Sequence, residues 1–222
     1  MVIAPDDQAR VTAAVLAAEA ATAGEIVTVV AARSDKYHDA ALHWAVLAML
    51  LVPAMLAWRP DWAMRASGLF GDGWTLPAAG VPFVAALIAM TLAFLLVRLL
   101  LSFEPLRLAL TPGWTKTRRV RRQAVALFRV GAERRTRGRT GVLIYLSLAE
   151  HRAEIIADAA IHDQVAEDVW AEAMAALLGP VRDGRAGDGL AAAVARVGAV
   201  LTEHFPREER DVNEIPDRLI ET

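Results

Sequence analysis

Residues 40–58 read AALHWAVLAMLLVPAMLAW, and residues 79–97 read AGVPFVAALIAMTLAFLLV. The first run holds one strongly polar side chain, His43, and the second holds no charge. A helix rises ~1.5 Å per residue, so a run of this length covers most of a ~30 Å hydrocarbon core. The two stretches therefore predict a pair of transmembrane helices over about 40–58 and 79–101, joined by a short link. Pro53 and Pro82 are costly inside a helix in water. A bilayer bundle tolerates them better, because neighbouring groups re-satisfy the freed carbonyl. Trp44, Trp58, Trp62 and Trp74 sit near the predicted ends, where an amphipathic ring prefers the interface. Arg59 closes the first run, and Arg98 at the exit of the second can snorkel. Two buried helices of a water-soluble protein are the alternative, which the length disfavours.

Composition agrees with a chain divided between lipid and water. Hydrophobic residues make up 55 % of it, yet charged residues still make up 23 %. The absence of cysteine excludes disulfides, thiolate metal sites and a cysteine nucleophile. A net charge of −2 supplies no bulk argument for nucleic acid, and none is expected as a partner. The opening stretch MVIAPDD lacks a basic n-region and an apolar h-region, so no cleaved signal peptide is expected. Arg59 and Arg65 are the basic residues of the link. Arg33 and Lys36 precede the first run, and Arg107, Lys116, Arg118, Arg119, Arg121 and Arg122 follow the second. The positive-inside rule then places both termini in the cytoplasm. The expected location is the cytoplasmic (inner) membrane of a bacterium, with two passes.

Outside the apolar runs the pattern is α/β. Residues 6–22 have a helical period through Val11, Val15, Ala18 and Thr22, with Asp6 or Asp7 to cap it. Residues 25–30, EIVTVV, form a β-branched strand that needs partners from elsewhere in the chain. Residues 118–131 place Val120, Ala124, Leu127 and Phe128 on one stripe, with Arg118, Arg122 and Arg129 largely off it. This basic amphipathic helix suits anionic lipid headgroups through Lys116, Arg118, Arg119, Arg121 and Arg122. It equally suits a domain helix with a solvated basic face. Residues 141–148, GVLIYLSL, read as a strand buried on both faces. A turn at 150–152 leads to a strand over 153–158, antiparallel because the link is short. Helices are expected over 162–178 and 188–204, separated by Gly179-Pro180 and a turn at 184–189. The charged tail 207–222 is expected to be extended.

The fold class is thus α/β (α+β): a small mixed sheet covered by helices, with an inserted two-span helical hairpin. Its parts are 1–39, the first portion of the soluble domain; 40–101, the hairpin; 102–206, the second portion with the basic juxtamembrane helix; and 207–222, the tail.

The strand TGVLIYLSL at 140–148, AEIIAD at 153–158, Ile161, Trp170, Gly189-Leu190 and LTEHFP at 201–206 follow one another in a specific order. Together with GEIV at 24–27 and EIPD at 214–217, this order resembles the TPM-domain family, specifically its membrane-inserted bacterial branch. The resemblance implies a small α/β sandwich. Some soluble relatives are described as metal binding, with calcium favoured, and a plant relative as a weak acid phosphatase. Here Arg139-Thr140 stand where the soluble branch has an Asp-Asn pair before the glycine, which puts both properties in doubt.

Candidate chemistry rests on carboxylates. Glu25 and Asp158 lie at strand ends where they could converge, and Asp163 and Glu167 are spaced i, i+4 for one helix face. Such acids suit calcium or magnesium, which take several oxygen ligands. Helix-start acids and ordinary strand-end charges are the favoured reading of the same residues. His151, His162 and His204 lack the spacing of a zinc pair. The glycine-rich GRAGDG at 184–189 follows a helix and lacks a Walker lysine. The expectation is an integral membrane protein with a cytoplasmic TPM-like domain, acting as an anchored accessory or partner-binding module. A metal-dependent phosphatase using Glu25, Asp158 or Asp163 is the alternative, and a transporter component a weaker one.

Overall fold

The computed structural model describes residues 3–68, 79–131, 140–207 and 219–222. Trp74, Arg139 and the EIPD stretch at 214–217 lie outside the described residues. The β-branched run becomes β1 (Glu25–Ala31), and the apolar run after residue 140 becomes β2 (Gly141–Ser147). They pair in parallel, Glu25 with Gly141 through Ala31 with Ser147. Parallel neighbours need a long crossover, and residues 32–140, the apolar hairpin included, supply it. Every residue of both strands is buried, as suits central strands covered on two faces. The tight turn after β2 returns the chain as β3 (Arg152–Ala157), antiparallel to β2. The far edge is closed by β4 (Ile220–Glu221), parallel to β1, giving the order β3-β2-β1-β4. The last residues of the tail are therefore a strand of the sheet.

Alternation along β1 sends its side chains to two separate cores. Ile26 and Val30 face the larger one, with Val142, Ile144 and Leu146 of β2. This face is covered by α1 (Pro5–Glu19), α8 (Glu167–Arg182) and α9 (Ala186–His204). Val27, Val29 and Ala31 face the smaller core with Leu143 and Tyr145. That side is covered by Val120, Ala124 and Phe128 of α6 (Gly113–Gly131).

Local chemistry moved several expected boundaries. Thr22 is not on the first helix. Its hydroxyl donates to the Phe205 carbonyl at 2.6 Å and accepts the Gly24 amide at 3.0 Å, which ends α1 early and joins it to the segment after α9. Pro5 rather than Asp6 or Asp7 opens that helix, and no side chain caps it. The helix expected from 162 is two elements, α7 (Ala159–His162) and α8. Gly179-Pro180 does not stop the second, which runs on through Pro180 to Arg182. Gly184, at φ 78°, makes the turn instead. The next helix then begins at Ala186 and takes in Gly187 and Gly189, which were expected in the turn.

The chain divides into two compact units, Met1–Asp35 with Gly113–Thr222, and Lys36–Pro112. The second unit holds α2 (His38–Trp58), α3 (Pro60–Gly68), α4 (Val81–Leu100) and α5 (Glu104–Ala109). Helices α2 and α4 pack together, with Ala41, Ala45 and Ala85 buried. Both are long and apolar enough to cross a membrane, and little of either is buried within the protein. Pro53 lies inside α2, whereas Pro82 sits in the first turn of α4, where its missing N–H is harmless. The Trp44 indole donates to the Leu110 carbonyl at 3.1 Å, and the buried Arg107 guanidinium to the Leu101 carbonyl at 3.1 Å. Helices α3 and α5 had no counterpart in the sequence reading, being too short to show a clear period.

Candidate functional site

The two ends of the sheet carry different polar chemistry. At the end where β1 and β2 begin, Glu25 pairs in register with Gly141, and Asp158 follows β3 on the other side of it. Glu25 and Asp158 are both buried. A whole strand separates them, roughly 10 Å at two ladder spacings. One Asp158 oxygen accepts the Gly141 amide at 3.1 Å, so this carboxylate holds the start of β2. Glu25 instead lines a small cleft with Glu19, Thr22, Gly24 and Arg207. Glu19 accepts the Ile26 amide at 2.7 Å. The sequence reading passed over Glu19. Its signal was weak: an acid at a helix end six residues before the strand.

Asp163 and Glu167 do not share a helix face. Asp163 is exposed at the C-terminus of α7, and Glu167 opens α8. The chain breaks between them because Asp163 closes the short helix and Val165 turns into the core. The Glu167 side chain lies outside what is described. Among the described residues no three His, Asp or Glu side chains gather as metal ligands.

At the opposite end, where β2 finishes, a buried network ties together residues far apart in sequence. The Tyr145 and Ser34 hydroxyls are 2.9 Å apart. The Ser34 amide donates to Glu150 at 2.9 Å, and the Ser147 hydroxyl donates to the other Glu150 oxygen. Burial pushes the Tyr145 hydroxyl above the usual tyrosine range. The Ser34 bond pulls it back, and the nearby Glu150 charge adds to the rise. Asp35, one residue on, accepts Arg119 of α6 at 2.7 Å. On β3, Glu154 is also pushed up by burial, against the opposing charges of Arg121 and Arg152. The network closes off this end and fixes the segments through which the chain leaves for α2 and returns at α6. It escaped the sequence reading because Ser34, Tyr145 and Glu150 meet only in space.

Helix α6 belongs to the α/β unit. Its apolar stripe packs on the sheet. Of the five basic residues singled out, Arg118, Arg121 and Arg122 are exposed, and Arg129 lies with them on one surface. Arg119 turns away to Asp35, and Lys116 is half-buried.

Together these features define a class: a small mixed α/β unit with two faces of helices and a separate unit of apolar helices. No family model matches the chain, and no curated protein matches it. Among solved structures it is similar to the NMR structure of the BA42 protein from the psychrophilic bacterium Bizionia argentinensis. The TM-score is 0.58 at 16 % identity, over 100 % of this chain and 97 % of that one. At that identity the likeness shows the fold alone.

Proposed function

We propose that the chain is an integral protein of a bacterial cytoplasmic membrane, with both termini in the cytoplasm. Its α/β unit is a TPM-like domain that serves as a membrane-anchored accessory or partner-binding module. One observation carries the reading: the outward faces of α2 and α4 are covered with large apolar side chains. Phe83 is 77 % exposed, Leu99 70 % and Leu87 62 %. A contiguous apolar surface of this kind is not sustained in water. The excess of Lys and Arg outside the link supports the orientation. The order of family-like segments supports the domain class. Binding is preferred to catalysis because the three candidate acids stay apart: Asp158 accepts the Gly141 amide, Glu25 lies across a whole strand from it, and Asp163 is exposed at the end of α7.

The absence of cysteine allows a clean topology test. Gly68, with open space around it, and the exposed Glu203 are each replaced by Cys in the full chain. In intact spheroplasts a membrane-impermeant maleimide is expected to label Gly68→Cys, and Glu203→Cys only after permeabilisation. Release of the protein by alkaline carbonate, or the reverse labelling, overturns the reading.

A further inference from the structure

Helix α6 has two faces with different uses. Turning about 100° per residue puts Trp114, Arg118, Arg121, Arg122, Val125 and Arg129 on one stripe, roughly 110° round the helix from the Val120, Ala124 and Phe128 stripe buried on the sheet. The basic stripe is open. Trp114 is 68 % exposed, and the Arg121 side chain 73 %. The Arg118 guanidinium lies over the Trp114 ring, 5.4 Å from its centre. Among the described residues no carboxylate pairs with Arg118, Arg122 or Arg129, and Arg121 has only a long contact to Glu154 at 3.7 Å. The fold thus holds out four guanidinium groups and an indole on one surface.

We infer that this face binds the anionic phospholipid headgroups of the leaflet in which the hairpin is anchored. The inference rests on the membrane reading above and deepens it by naming the lipid class. Three observations choose this occupant. The charge is of one sign and largely uncompensated, which suits a dense layer of phosphates. Arg is the side chain that meets phosphate oxygens with two parallel donors. Trp114 is an interface-seeking ring placed at the start of the same stripe, on the side where the chain arrives from the apolar hairpin. Residues 101–112 are all that join α6 to α4, and α5 takes up part of that length. A spanning α4 therefore tethers α6 within a short length of chain from the bilayer. The buried apolar stripe also excludes the usual mode, in which an amphipathic helix sinks its apolar side into lipid. Contact is through charge and Trp114, and so is sensitive to salt.

The test uses the full chain with Val125→Cys, at the middle of the stripe, carrying a nitroxide label. The protein is reconstituted into vesicles of phosphatidylcholine alone or of phosphatidylcholine with phosphatidylglycerol. Collisions with a water-soluble nickel complex are expected to fall several-fold in the anionic vesicles. High salt, or the combined Arg118→Gln, Arg122→Gln and Arg129→Gln changes, is expected to restore them. These arginines are exposed and leave the core intact. Equal collision rates in both vesicles, with the chain still resistant to carbonate, overturn the inference and leave the membrane reading standing. Release by carbonate overturns both. Protection by added RNA in neutral vesicles, without protection by anionic lipid, assigns the face to nucleic acid and also overturns it.

Discussion

Gly141 and Asp158 exchange two hydrogen bonds. The Gly141 amide donates to the Asp158 carboxylate at 3.1 Å, and the Asp158 amide donates to the Gly141 carbonyl at 3.0 Å. The pair fixes the register between the start of β2 and the end of β3 where the ladder runs out. A bond from an amide to a buried carboxylate is stronger than a neutral one. Asp158→Ala is therefore expected to cost about 1–3 kcal/mol, with Asp158→Asn close to the parent. Thermal unfolding of the full chain in detergent measures both. An unchanged midpoint for the alanine variant would remove the structural role and return Asp158 to the list of candidate ligands.

Thr28 lies in the middle of β1, 1 % exposed, on the same face as Ile26 and Val30. Among the described residues its hydroxyl has no hydrogen-bond partner. A buried hydroxyl without a partner is destabilising, and valine has nearly the same shape. Thr28→Val is expected to stabilise the α/β unit by about 1 kcal/mol. A lower unfolding midpoint would show that the hydroxyl finds a partner in solution.

Gly198 brings α9 against α1. A Cβ at that position would stand 2.5 Å from the Ala18 Cβ. The backbones meet too closely for two methyl groups, so Gly198→Ala is expected to cost about 1–3 kcal/mol. Adding Ala18→Gly should recover part of that loss, and a double-mutant cycle measures the coupling. Additive effects would mean that the helices separate freely.

Glu154 responds to pH in a defined direction. Burial raises its carboxyl above the ordinary value, and Arg121 and Arg152 only partly offset this. The folded state then holds the proton more tightly than the unfolded one. Its contribution to stability is fully present below the unfolded carboxylate value and is lost as pH rises through the raised folded value. Glu154→Gln stays neutral throughout. The midpoint of this variant minus that of the parent should therefore grow across that window and level off above it. Parallel curves across the whole series would show that the carboxyl is not perturbed.

The paired apolar helices and the two central strands were legible because each is written in consecutive residues. Residues 40–58 and 79–97 declare themselves by unbroken apolarity, and EIVTVV and GVLIYLS by β-branched and apolar density. The antiparallel β3 followed from a link too short for anything else. The acids were harder. A carboxylate at a strand end looks the same whether it holds a cation or a backbone amide, and the neighbouring strand decides which.

The sequence by itself determined which segments are apolar enough for lipid, which form β1, β2 and β3, and that α6 has one apolar and one basic side. Those properties follow from side chains read one after another at periods of 2 and 3.6. Only the tertiary structure decided that β1 and β2 lie side by side in parallel across residues 32–140, and that β4 closes the sheet. It alone gave the apolar side of α6 to the sheet and left Arg118, Arg122 and Arg129 outside. It alone spent Asp158 on Gly141 and joined Ser34, Tyr145 and Glu150. These outcomes depend on which distant backbone groups need partners and which apolar surfaces are left to cover, and no local pattern encodes either.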